Sequence, residues 1–398
     1  MSANIILGVT GGIAAYKLLN VASSLTKSGF NVYTIMTDSA AEFVSPLTFH
    51  SITHLPAEKD LFSSWNSGGV KHIELADKAD LCLIAPATAN FIGKAAGGIA
   101  DDLLTTVILA VQSPILIAPS MNVHMYENKI VQKNLKFLEE ELDYKIITPE
   151  SGYLACGYEG RGRLPEPEIL VESVKMFLNK KDLKGKKVMI SAGPTREAVD
   201  PVRYISNYSS GRMGYALARA AAFRGAEVTL ISGPVSLEKP LGVDLINVES
   251  AEEMKNAVFQ NFSEQDIIVM AAAVADYRPK EKKNKKIKKS DSIMTSNLKL
   301  ERTDDILFNL GKEKRKDQIL IGFAAETESL LKNARKKLKK KNADYIIANN
   351  ISNKKLGFGS RDNKVTILSV ERVSEFPIMD KEELADEIFD YIIGAERK

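Results

Sequence analysis

Cysteine is nearly missing from this 398-residue chain. Cys82 and Cys156 are the two, far apart and in no CxxC pair, so neither a disulfide framework nor a zinc site is indicated. Histidine is almost as scarce: His50, His54, His72 and His124 show no HExxH spacing. Charge of one sign is also lacking. Lys+Arg 54 against Asp+Glu 51 leaves +3, too little to argue for a nucleic acid or a membrane surface as partner. Long apolar runs are absent too. The longest, Ile267 to Ala275, is about half of the ~20 residues a membrane span needs. Met1-Ser2-Ala3-Asn4 lacks the basic, then apolar, pattern of a secretory signal, so a cytoplasmic protein is expected.

What is present is the composition of a globular protein, 44% hydrophobic and 26% charged, with a length that suits two or three domains. Short apolar runs alternate with amphipathic stretches, the rhythm of a parallel sheet covered on both faces. Strands are expected at Ile5–Val9, Val32–Met36, Leu81–Ala85 and Ile115–Ala118, then at Lys187–Ala192, Glu227–Ser232, Asp266–Ala272, Ile319–Phe323 and Tyr345–Ala348. Residues 179–186 are polar and lysine-rich and read as a linker between domains at 1–178 and 187–398. The fold class is therefore α/β, with two doubly wound, Rossmann-like parallel-sheet domains. Ligands in such sheets sit beyond the carboxyl ends of the strands, so those residues are where function is sought.

The first strand ends in Val9-Thr10-Gly11-Gly12, with a helix starting behind it. Glycines there let backbone amides approach an anion, although a ligand-free βα turn reads the same way. Thr37-Asp38-Ser39 supplies hydroxyls at a second helix start, as a cap or as phosphate donors. Ala85-Pro86-Ala87-Thr88-Ala89-Asn90 is echoed by Ala118-Pro119-Ser120-Met121-Asn122. Both phrases are uncharged and amide-bearing, which suits a planar heteroaromatic ligand better than a metal, though each can equally be a proline-terminated strand. Residues 151–163 hold four glycines around Cys156 and read as a flexible lid carrying a thiol, whereas Cys82 in an apolar strand reads as buried and inert. His72 alone reads as structural as readily as catalytic.

Taken in order, Gly8-Val9-Thr10-Gly11-Gly12-Ile13, His72-Ile73, Ala85 to Asn90, residues 98–104, Pro119 to Asn122 and Ala155-Cys156-Gly157 resemble the flavin-dependent phosphopantothenoylcysteine decarboxylases over residues 1–175. The resemblance implies a flavodoxin-like flavoprotein domain with FMN against Gly11, Gly12, Ser39, Thr88 and Asn90. It also implies that His72 is an active-site histidine, that Asn122 binds the acyl-cysteine end of the substrate and that Cys156 is the proton donor. Ser120 and Tyr126 stand where the family usually has Ala and Trp.

In the second half, Gly193 to Gly214 is an unusually long connection, rich in Ser, Asn, Gly and Arg, in which Ser209 or Ser210 can cap the following helix. Ala273-Val274-Ala275-Asp276 ends a strand, and seven lysines follow within 280–289. A second basic run, 332–341, reads as a helix with Lys337 and Lys341 on one face. Either run can be a solvated face, or can fold over a polyphosphate. Neither is interleaved with aromatics, so nucleic acid is not expected.

Ser191 to Glu197, Asp200 to Arg203, Ser209-Ser210-Gly211, Ala271 to Tyr277, residues 286–289 and Gly322 to Thr327 resemble the CTP-using phosphopantothenate–cysteine ligases over about 187–370. The resemblance implies that Asn207 and Arg203 hold an acyl-cytidylate and that Lys286 is a mobile catalytic lysine. It implies too that Ala273, Asp276, Lys286, Asp304, Asp305, Ile306, Leu307, Phe323, Lys337 and Lys341 line the CTP site, with Asp304 where many members have Pro. It further implies 4′-phosphopantothenate and L-cysteine as substrates, magnesium with the nucleotide at ligands the sequence does not identify, and trimers through the first domain and dimers through the second, up to a dodecamer. Two other readings compete. A non-enzymatic regulatory flavoprotein is opposed by Cys156 and Asn122. A nicotinamide oxidoreductase is opposed by the missing GxGxxG.

Overall fold

In the computed structural model, the described residues are 2–62, 70–153, 159–287, 298–326, 329–350, 360 and 362–396. They form two compact units, Met1–Leu178 and Asn179–Lys398.

The first unit is built on six parallel strands: β1 (Asn4–Val9), β2 (Asn31–Met36), β3 (Ala57–Glu58), β4 (Leu81–Ala87), β5 (Ile115–Pro119) and β6 (Lys145–Ile146), in the order β3-β2-β1-β4-β5-β6. Without the two-residue edge strand β3, this is the 2-1-3-4-5 order of flavodoxin-like folds. Both faces are buried, which is why the strands read as unbroken apolar runs. Ile5, Leu7 and Val9 join one core cluster and Ile6 the other. One face is covered by α1 (Leu18–Lys27), α2 (Asp38–Ala41) and α3 (Pro46–Thr53), the other by α4 (Lys71–Lys78), α5 (Ala89–Gly97), α6 (Leu103–Ala110), α7 (Val123–Tyr126) and α8 (Lys129–Glu140); α9 (Pro167–Leu178) returns to the first. The glycine-rich segment read as a loop has strands on its described flanks, β7 (Glu150–Tyr153) and β8 (Glu159–Arg163), paired antiparallel. Its pairing partner is the segment itself, so the low strand propensity of glycine is overridden.

The second unit contains β9 (Lys187–Ala192), β10 (Arg196–Ala198), β11 (Tyr204–Ser206), α10 (Arg212–Phe223), β12 (Glu227–Ser232), β13 (Val243–Asn247), α11 (Ala251–Asn261), β14 (Ile267–Met270), β15 (Tyr277–Pro279), β16 (Leu300–Arg302), α12 (Ile306–Glu313), β17 (Ile319–Glu326), α13 (Leu330–Lys341), β18 (Tyr345–Asn350), β19 (Asp362–Asn363), β20 (Val365–Leu368), β21 (Val373–Glu375), β22 (Met379–Asp380) and α14 (Lys381–Glu396). The main sheet runs β13-β12-β9-β14-β17-β18-β20-β21. It is parallel through β18, but β20 and β21 add antiparallel. The wholly parallel sheet expected from the sequence is thus corrected to a mixed one: short edge strands carry no long apolar run to announce them. The long connection after β9 is also not plain loop, because β10 and β11 pair within it.

Residues 179–186, expected as a linker, pack on the second unit. Leu183 is buried in its core, and Asp182 grips the wholly buried Arg224 in a fork, Nε to Oδ1 at 2.8 Å and Nη2 to Oδ2 at 2.6 Å. Among the described residues no helix is long and apolar enough to cross a membrane.

Candidate functional site

In the first sheet the chain winds outward through β2 and β3, then crosses back to lay β4 beside β1. The crevice therefore opens between the loops that follow β1 and β4. Thr10 stitches those loops together. Its hydroxyl donates to the Pro86 carbonyl at 2.6 Å, and the Thr88 amide donates to that hydroxyl at 3.2 Å. Thr88 in turn caps α5. The loop after β2 closes in equally tightly: a Cβ on Gly11 would lie 2.3 Å from Ser39 Cβ, so only glycine fits there.

These loops bound a cavity of about 740 Å³ lined by Thr10, Gly11, Gly12, Thr37, Ser39, Thr88, Asn90 and Asn122, among others. All five residues expected to bind the cofactor are brought together, and Asn122 joins them. Its Oδ1 accepts the His124 amide at 2.8 Å, which makes Asn122 the cap of α7. His72 lies in the first turn of α4 and is not part of the cavity wall. Cys156 lies outside the described residues. The described strand β8 that follows it is anchored beside Asn122: the Met121 amide donates to the Gly162 carbonyl at 3.0 Å. Gly162 has φ +141°, and a Cβ there would lie 2.3 Å from the Met121 oxygen.

Sequence reading missed Lys94, Asp101 and Asp102, which also line the cavity. Lys94 Nζ reaches Asp101 at 2.6 Å and Asp102 at 3.4 Å. The hydrogen bond to Asp101 holds the ammonium above its ordinary value and the Asp101 carboxyl below its own. The Asp-Asp phrase at 101–102 was the available signal, but nothing local tied it to Lys94. Cys82 is buried, as expected, and desolvation pushes its thiol up to about 12, so it is no nucleophile.

The second sheet repeats this logic with its crevice between β9 and β14. Pro194 bridges to Ala273, the Ala273 amide donates to Gly193 at 2.8 Å, and the Ala275 amide to Thr195 Oγ1 at 3.0 Å. Asn207 closes the gap, its Nδ2 donating to the carbonyls of Val274 at 3.0 Å and Ala273 at 3.3 Å. The expectation that Ser209 or Ser210 caps helix α10 is corrected. Gly211 is the cap at φ +74°, where a Ser would be strained, and Ser209 instead accepts the Gly211 amide.

One peptide further on, Val274 and Asp276 enter the wall of a cavity of about 560 Å³. Asp304, Asp305, Ile306, Leu307, Phe323, Lys337 and Lys341 complete it, with Tyr277, Arg302 and Thr303, which sequence reading missed. Ala273 and Lys286 are not on this wall. Asp305 caps α12 and pairs with Lys341, while Lys337 Nζ donates to the Phe323 carbonyl at 2.7 Å. Both lysines leave α13 on the same side as expected from their spacing, and burial lowers the pKa of each. Asp304 reaches Lys255 at 2.6 Å, an ion pair that tethers this loop where a proline would have stiffened it. Among the described residues no group of three or more His, Cys, Asp or Glu is arranged to hold a metal.

A "Flavoprotein" family model matches residues 1–179, and a "DNA/pantothenate metabolism flavoprotein C-terminal domain" model matches residues 183–395. The molecule is thus a flavoprotein unit joined to a pantothenate-metabolism unit. Over nearly its whole length it is similar to the coenzyme A biosynthesis bifunctional protein CoaBC of Bacillus subtilis, 50% identical over 99% of this chain and 98% of that one. The Vibrio cholerae protein of the same name is 44% identical over 98% and 97%. A crystal structure of the C-terminal domain of such a protein is 43% identical, covering 55% of this chain and 99% of that one with a TM-score of 0.47. The chain belongs to the family of coenzyme A biosynthesis bifunctional proteins. It is a bifunctional enzyme of that biosynthesis, with a flavoprotein decarboxylase half and a ligase half.

Proposed function

We propose that the second unit joins 4′-phosphopantothenate to L-cysteine at the expense of CTP, and that the first decarboxylates the resulting phosphopantothenoylcysteine with FMN. The observation that carries this reading is that each cavity opens beyond the carboxyl ends of its own sheet's strands, the first between β1 and β4 and the second beside β14 and β17, and gathers most of the side chains the resemblance assigns.

In the ligase half, the substrate carboxylate attacks the α-phosphate of CTP and pyrophosphate leaves. Lys337 and Lys341 offset the triphosphate charge in a partly desolvated wall, where each cation counts for more than in water. Magnesium bound with the nucleotide would need only one or two protein carboxylates, and Asp276 on the cavity wall would be one of them. Asn207 and Arg203 then hold the acyl-cytidylate while the cysteine amine attacks its carbonyl, CMP departs and an amide forms. Lys286 offsets negative charge as these groups leave.

In the decarboxylase half, the cavity fits FMN: glycine allows close backbone approach, Thr10, Ser39 and Thr88 offer hydroxyls, and α5 begins at the wall. Bound FMN supplies a two-electron sink for the loss of CO2. Asn122 orients the acyl-cysteine end at the cavity wall, Cys156 delivers a proton, and His72, on α4 outside this wall, keeps the active-site role that the resemblance assigns to it. Exposed Ile13, Tyr16 and Leu47 beside this unit support association of copies, the trimer that the resemblance implies, with dimers through the ligase half.

The test is pyrophosphate release from 4′-phosphopantothenate, cysteine and magnesium with CTP or ATP, followed alongside CO2. CTP-dependent pyrophosphate followed by CO2 supports both halves. Pyrophosphate without CO2 leaves the first unit a regulatory remnant.

A further inference from the structure

The turn between β10 and β11 carries a buried carboxylate that none of these roles uses. Asp200 has a wholly buried side chain, and its two oxygens have separate partners. Oδ1 accepts the amides of Val202 at 2.8 Å and Arg203 at 2.9 Å, which ties off the turn. Oδ2 accepts the Ile287 amide at 3.2 Å and Arg203 Nη1 at 3.4 Å. Arg203 Nη1 also lies 3.5 Å from the Ile287 carbonyl, and the Lys283 amide donates to Val199 at 3.0 Å. A segment 87 positions along the chain is thereby fastened to the Arg203 turn, at the peptide next to Lys286.

The physical need is plain from the sequence. Lys286 belongs to a run of seven lysines within 280–289, which repels itself and has little apolar surface to bury. A buried carboxylate that accepts the Ile287 amide, inside the run, is what ties the run to this turn. Burial alone would raise the Asp200 pKa, and the amide hydrogen bonds from Val202, Ile287 and Arg203 outweigh it and hold the group ionised.

We propose that Asp200 is a positioning residue for ligation: it docks the Lys286 segment against the Arg203 turn, so that both cations meet the acyl-cytidylate in one arrangement. The proposal rests on Lys286 and Arg203 being the ligase pair.

Asp200→Asn separates this role from turn formation. The amide oxygen can still accept the Val202 and Arg203 amides, whereas the new NH2 faces two donors and releases Ile287 and the guanidinium. In the full-length enzyme, kcat for CTP-dependent pyrophosphate release is expected to fall about 10- to 100-fold, the scale of a small misplacement of reacting groups. KM for CTP stays within about threefold, because Asp200 is not on the nucleotide wall. The same substitution in a Lys286→Ala chain costs less than about twofold more, since the two residues act as one. Asp200→Glu, which keeps the charge, recovers part of the turnover. Equal losses in both backgrounds, a rise in KM alone, or unchanged turnover would each overturn the proposal. Should Asp200→Asn fail to fold, Ile287→Pro removes the donor and leaves the turn in place, and wild-type kcat in that variant overturns it as well. A Lys286→Ala chain that ligates at the normal rate would instead sink the assignment beneath it. CO2 release from supplied phosphopantothenoylcysteine stays unchanged throughout.

Discussion

Lys337 shows how a single side chain's surroundings set a measurable property. Burial disfavours its ammonium and lowers its pKa, with Glu326 and Asp276 only partly offsetting that. It therefore loses its charge at a lower pH than an ordinary lysine. A triphosphate favours the ammonium form, so CTP binding takes up a proton in the window between the lowered value and the ordinary one. Affinity should weaken as pH rises through that window, while Lys337→Arg, which stays charged, should weaken less there, Lys341 alone then losing its charge; titration calorimetry at several pH values checks this. Two further substitutions should divide the activities. Lys286→Ala cuts ligation to a low residual rate and spares decarboxylation, and Cys156→Ser does the reverse; normal CO2 release from Cys156→Ser refutes its proton-donor role. Much of this was legible in the sequence because Lys337 and Lys341 lie a helical turn apart and Asn207 follows a strand end. Asp200 and Lys94 were not, because their partners are set by tertiary folding rather than by spacing.

Elements were legible where burial wrote them into composition. The central strands of both sheets lie between two helical layers, and their apolar runs gave β9 and β12 with correct ends. The edge strands β20 and β21 and the hairpin β7–β8 were not legible, because the former are short and the latter is mostly glycine and polar residues. The hairpin's attachment is nonetheless specific. Gly162→Ala puts a Cβ against the Met121 oxygen and strains a left-handed position, a cost of about 1–3 kcal/mol. Decarboxylation should drop at least about tenfold through displacement of the hairpin base, with ligation intact. Gly11→Ala should act one step earlier by pushing the β1 loop off Ser39. The purified chain is expected to lose its yellow colour, and one that stays yellow would mean that this turn does not bound the flavin.

At the scale of the whole molecule, the two units repeat one winding, with a cavity beyond the carboxyl ends of the strands in each sheet. The sequence showed the alternation that implies this, although not where the second unit's foundations begin. Arg224 is the reason: it is wholly buried, and besides Asp182 it reaches Asp390 at 2.7 Å. Removing Asp182 leaves part of that charge unpaired, a loss of about 3 kcal/mol. A ligase fragment starting at Lys187 should therefore melt roughly 5–10 °C below one starting at Asn179, a difference calorimetry resolves. Equal melting temperatures would mean that Asp390 alone satisfies Arg224. Read as heredity, the same contact marks where recombination can divide the gene. A crossover at the codon for Asn179 hands the ligase half both of its arginine's counter-ions, whereas one a few codons later leaves that arginine with Asp390 alone.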